Sequence, residues 1–217
     1  NDASEQAVER GLKWLADHQF AAGNWSIHEL NCKDHNCLGH GNFEADTAAT
    51  GLALLAFLGA GHSHRSGEYQ NQVGRGIQWL VHSQKTNGDL FTDKSQFLWL
   101  YSHGMAAIAL CEAYGMTKDP ALKEPAQKSL DFIVAAQHPG FGAWRYRPQF
   151  ESDTSVSGWQ LMALKSGQMA GLSVPQSAYD GVSRWLDSVE NKSSPGRFSY
   201  HPSKPNSQAM TAEGLLM

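Results

Sequence analysis

Cysteine is scarce in this chain: three in 217 residues, an odd number. A disulfide framework is excluded as the main source of stability, and a chain of this length buries about 70% of its unfolded surface without staples. Charge is sparse too, at 18% of residues with a net charge of −4, and no three basic residues run together. A phosphate-binding stripe is therefore missing, and no nucleic-acid partner is expected. The run Thr47–Gly61 carries no charge, but its 15 residues are too few for a membrane span, so no transmembrane helix is expected. Secretory-signal character is absent: Asp2, Glu5 and Glu9 crowd the first ten residues. A start at Asn1 without Met reads as a processed or trimmed product. No Asp-Asp pair, Gly-x-Ser-x-Gly or phosphate-cradling Gly-rich loop occurs. Mg²⁺-assisted ionisation of a diphosphate, serine hydrolysis and nucleotide binding lose their usual signatures. Disorder is excluded by 41% hydrophobic residues and by aromatics spread along the chain.

What is present is repetition. Four segments share one pattern. They are Gly11–Gln19 followed by Gly23 and Trp25, Gly76–Gln84 followed by Gly88 and Phe91, Ser129–Gln137 followed by Gly142 and Trp144, and Val182–Glu190 followed by Gly196 and Phe198. The anchor aromatics Trp14, Trp79, Phe132 and Trp185 are spaced by 65, 53 and 53 residues. The longer first interval reflects an insertion at 26–42.

Each segment reads as the end of an amphipathic helix: Val8, Leu12 and Leu15 recur at helical steps while Arg10, Lys13 and Asp17 lie off the stripe. A Gly-aromatic turn follows, then a second helix rich in small residues and nearly uncharged: Asp46–Leu58, Ser102–Tyr114, Asp153–Lys165 and Met210–Met217. A helix apolar all round is buried on all sides. Alternating half-exposed and buried helices at a period near 53 describe an open stack or a ring with the buried helices inside. The ring is favoured, because the inner helices are too poor in charge to line a wet groove. The expected fold is all-α, a partial α/α toroid of about eight helices in one domain over 1–217, belonging to a longer toroid or protein.

The pattern Gly-x-x-Trp/Phe-Leu/Ile-x-x-x-Gln followed by Gly-x-Trp, best kept in Gly11, Trp14, Gln19, Gly23 and Trp25, resembles the glutamine–tryptophan repeat of squalene and oxidosqualene cyclases. The wider family is the terpenoid cyclase and protein prenyltransferase α/α toroid, including bacterial prenyltransferase/squalene oxidase repeat proteins. The resemblance implies that the Gln residues tie neighbouring outer helices, a structural role. It implies an apolar, isoprenoid-type ligand and, for an enzyme, terpenoid-cyclase-like chemistry without a cofactor or metal. Squalene–hopene cyclases protonate an alkene from an Asp-x-Asp-Asp-Thr-Ala motif at such a helix start. Asp46-Thr47-Ala48 matches the end of that motif, but its first two acids fall on Phe43 and Ala45, and in a second copy on Phe150 and Ser152. The acid motif is not intact. A non-catalytic scaffold or protein-interaction toroid is the alternative. A polysaccharide-active toroid using Glu44, Asp46, Glu151 and Asp153 as paired carboxylates is a weaker one.

The candidate site residues are Asp46, Asp153, Glu44, Glu151 and His103. The starts Phe43-Glu44-Ala45-Asp46-Thr47 and Phe150-Glu151-Ser152-Asp153-Thr154 recur 107 residues apart. Capping explains them without function, because acids at a helix start satisfy amides and meet the positive dipole end, which would hold them ionised. His103 is expected beside them, in the row of Thr47 and Thr154. His18, His82 and His138 read as surface residues, and Arg145-Tyr146-Arg147 as a solvated turn. In the insertion, Cys32, His35, Cys37 and His40 leave three readings open: a Cys32–Cys37 disulfide, thiols, or a metal site of uncommon spacing. A disulfide would imply export, and its absence a cytoplasmic protein.

Overall fold

A computed structural model describes residues 2–32, 37–39 and 41–217. His35 and His40 of the insertion motif lie outside the described residues. Among the described residues, eight helices hold more than half of the chain: α1 (Asp2–Asp17), α2 (Asp46–Gly59), α3 (Gln70–Ser83), α4 (Trp99–Thr117), α5 (Pro120–Ala136), α6 (Thr154–Met169), α7 (Gln176–Val189) and α8 (Gln208–Leu216). Extended pairing among the described residues is limited to the bridges Glu190–Phe198 and Ser199–Asn206. The expected all-α architecture is what the chain adopts.

The helices form two layers. The inner helices α2, α4, α6 and α8 pack side by side in chain order, and outer helices lie behind them. This is an arc of an α/α toroid. Small residues let the inner helices approach closely. A Cβ on Gly51 would meet the backbone of Met105 and Ala106, and one on Gly104 would meet Trp159 and Gln160. Gln160, fully buried, donates to the Leu100 carbonyl of the neighbouring inner helix at 2.9 Å.

The repeat signature is a set of ties. Gln19 Nε2 donates to the carbonyls of Gly23 and Gln72, Gln84 Nε2 to Gly88 and Pro125, and Gln137 Nε2 to Gly142 and Ala178. Each Gln thus joins its own turn to the next outer helix, the structural role that the resemblance implied. Trp25 and Trp144 donate their indole N–H back to Leu15 and Ile133 of the outer helix. Gly88 and Gly142 hold positive φ, and a Cβ there would strike the carbonyls of Lys128 and Gly181. Glycine is needed at both positions for conformation and for space.

Several boundaries differ from the sequence reading: α4 runs on to Thr117 and α8 begins at Gln208. α4 begins at Trp99, a turn before Ser102, because Trp99 Nε1 bonds Asp89 and the Leu100 amide bonds Tyr146 across the repeat. α6 runs on through Gly167 to Met169 and stops before Gly171, which takes positive φ.

Candidate functional site

The turns set the register of the inner helices. The amides of Trp25, Leu90, Trp144 and Phe198 donate to Thr50 Oγ1, His103 Nδ1, Ser157 Oγ and Thr211 Oγ1. His103 therefore stands in the row of Thr50 and Ser157, three residues past the row of Thr47 and Thr154 where it was expected. It is fully buried, and its Nε2 donates to the Ser129 carbonyl at 3.0 Å. With Nδ1 accepting from Leu90 and Nε2 donating, the ring is a strut between a turn and α5, and buried Asp89 lies 3.5 Å from Nδ1. The same correction makes Leu90, not Phe91, the counterpart of Trp25 and Trp144.

The two acidic helix starts also diverge. Asp153 is fully buried and caps α6: Oδ1 accepts from the Val156 amide at 2.7 Å. Its Oδ2 accepts from the Tyr200 hydroxyl at 2.8 Å, and Tyr200 pairs with Tyr146. Arg145 spans Glu151 and Asp153 and lies over the rings of Tyr146 and Tyr200. Burial raises the Asp153 pKa more than the Val156 amide, Tyr200 and Arg145 lower it, leaving it at about 6. Desolvation outweighs the helix field, so this carboxyl takes up a proton at higher pH than an ordinary Asp while staying mostly ionised at pH 7. Glu213 of α8 is pushed up to about 7 by burial and by the charge of Asp153.

Asp46 is not a cap. Ala45 precedes α2 without a side-chain bond, and the Asp46 amide donates instead to Asp93 Oδ1 at 2.9 Å. The Asp46 carboxylate accepts from Asn24 through Oδ2, with His28 Nδ1 at 3.7 Å from Oδ1. Asp46 Oδ1 and Asp93 Oδ2 both lack a hydrogen-bond partner. Burial raises the Asp93 pKa to about 6; the charges of Asp46 and Glu44 act the same way, against the bond from the Asp46 amide. Glu44 pairs with Lys94 on the surface, as Glu151 does with Arg145.

Asp93 and Tyr200 escaped the sequence reading. Their signal is positional: Thr92, Tyr146 and Tyr200 each lie two residues after a turn anchor, and each meets the start of the preceding inner helix.

Below this rim, α4 and α6 are flanked by inner helices and backed by outer ones. Half-buried residues at helical steps mark one face, Tyr101, Met105 and Glu112 on α4 and Ser155, Trp159 and Met162 on α6, while half-buried Trp99 and Tyr114 lie off it. Tyr101 and Ser155 join across it at 2.9 Å. Glu112 is the charge farther down α4. The free face of the inner layer is thus apolar beneath a polar rim.

Residues 1–97, which carry the first repeat, Asp46 and Asp93, match the family model of the squalene-hopene cyclase C-terminal domain. The match covers less than half of the chain and makes that part similar to the cyclase domain. No curated protein matches the chain. This cyclase-like domain keeps the ties of the repeat intact. Among its described residues no helix is long and apolar enough to cross a membrane.

Proposed function

We propose that this cyclase-like domain binds an apolar, isoprenoid-type ligand on the concave face of α4 and α6, beneath the Asp46–Asp93 rim. The observation that carries the reading is the row Met105, Trp159 and Met162, half-buried on helices whose other sides are packed. Polarizable thioethers and an indole suit a flexible hydrocarbon, which gains by leaving water. Asp153 acts in this reading as a cap and anchor, because both its oxygens are engaged. Asp46 and Asp93 keep open oxygens, so any proton delivered to the ligand comes from this pair. Saccharide chemistry fits less well: Glu44 and Glu151 are ion-paired and Asp153 is buried, leaving no open pair across a cleft.

The test is titration with detergent-dispersed squalene, followed by tryptophan fluorescence. Saturable binding that Met105→Glu and Met162→Glu weaken at least tenfold, with helical content unchanged, supports the reading. Absence of binding by the native chain defeats it and leaves the protein-interaction scaffold. A cyclised product abolished by Asp93→Asn and retained in Asp153→Asn would locate catalysis at the rim pair.

A further inference from the structure

At the far end of α1, three donors converge. His18 Nε2, Cys32 Sγ and Cys37 Sγ all lie within 4.8 Å of one another. His18 Nε2 is 3.0 Å from Cys37 Sγ. No disulfide joins Cys32 to Cys37, so the bridged alternative is not the state seen here. All three residues are half-buried.

We infer that His18, Cys32 and Cys37 form a zinc site that staples the insertion to the end of α1. A tetrahedral ion with sulfur at about 2.3 Å and nitrogen at about 2.0 Å holds its ligands roughly 3.5–3.8 Å apart. The observed cluster needs shifts of an ångström or less to meet that spacing. The imidazole is already set for the role: Nδ1 donates to the Trp14 carbonyl at 2.7 Å, which leaves the lone pair on Nε2 toward the thiols. Stacking on Trp14, with ring centroids 4.0 Å apart, fixes the ring plane. Two thiolates and an imidazole select zinc over the oxygen-seeking Mg²⁺ and Ca²⁺. On binding, each thiol loses its proton to the buffer and gives a sulfur lone pair to the ion. The fourth position falls to water or to a group beyond these three.

Placement gives the site a purpose. Its neighbour is a pocket of about 220 Å³ lined by Trp14, Leu15, Trp25, Leu30 and Leu52, with His18 in its wall. Ser26, Glu29, Leu30 and Asn31 of the insertion line this apolar edge of α1 and α2, and none of the insertion's described residues lies in a helix. A metal tie between Cys32, Cys37 and His18, which follows α1 directly, supplies that order.

The experiment uses the full chain, reduced, stripped with a chelator and reloaded with zinc or cobalt. One zinc per chain is expected by elemental analysis. The cobalt form is expected to show thiolate-to-metal charge transfer and the visible bands of a tetrahedral ion. Cys32→Ser, Cys37→Ser and His18→Gln should each weaken zinc binding at least tenfold, while Cys111→Ser, buried in α4, retains it. Circular dichroism distinguishes loss of metal from loss of fold. Zinc should also slow proteolysis within the insertion. Failure of the reduced, folded chain to bind zinc stoichiometrically overturns the site. So does wild-type affinity in His18→Gln, or a cobalt spectrum without the thiolate transition.

Discussion

At the residue scale, like sequences take unlike roles. Phe-Glu-x-Asp-Thr occurs twice, but Asp153 caps its helix and Asp46 leaves that position to an amide bond with Asp93. The sequence made both acids visible and could not separate them, because the difference lies in the next turn: Tyr200 faces one and Asp93 the other. Burial places the Asp153 carboxyl at about 6, against 3.8 for an ordinary Asp. The folded state then holds the proton more tightly, so this group's contribution to stability falls as pH rises from about 4 through 6. Asp153→Asn keeps an oxygen for the Val156 amide and removes the titration. Urea denaturation should show the native chain losing about 1–3 kcal/mol relative to this variant between pH 4 and pH 7. A constant difference would contradict the buried-acid account. Asp153→Ala, losing the cap as well, should cost about 1–2 kcal/mol at pH 4, whereas Asp46→Ala leaves the α2 start held by Asp93 and should cost less than about 0.5 kcal/mol. Gly88 gives a sharper case. Alanine there meets both a φ of 91° and the Lys128 carbonyl, so Gly88→Ala should cost about 2 kcal/mol or more by thermal or urea unfolding.

At the element scale, the helices were legible because their periods differ. Outer helices alternate charge with apolar stripes, and inner ones are small and uncharged. The start of α4 was not legible: Phe97-Leu98-Trp99-Leu100 has no capping side chain, and the helix begins where Trp99 and Leu100 find partners in other segments. His103 was misplaced for the same reason, since its row is set by the Leu90 amide. Replacing it with leucine would orphan that amide and the Ser129 carbonyl. His103→Leu should destabilise by about 2–4 kcal/mol, with His103→Gln recovering part of the loss. Equal stability of the leucine variant would remove His103 from its place as a strut. Far-ultraviolet circular dichroism should report more than half helix, well above the roughly one-third of an average soluble protein.

At the scale of the whole molecule, a period of 53 residues is enough to fix the two-layer arc. Each of the first three repeats makes the same Gln contacts with the next, and Glu190 stands in the Gln position of the fourth. The insertion breaks that period, which is why its donor set came from both the loop and α1, although the sequence offered only the loop's own Cys and His. Function rests on what the arc leaves open, an apolar face under a rim with unbonded carboxyl oxygens. Photo-crosslinking tests this most directly, with a diazirine-bearing squalene analogue and mass-spectrometric mapping of the labelled residues. The account predicts labels on Met105, Trp159 and Met162 that excess squalene removes. Labels confined to the outer helices or to the α1–insertion pocket, or labels that squalene does not displace, would contradict it.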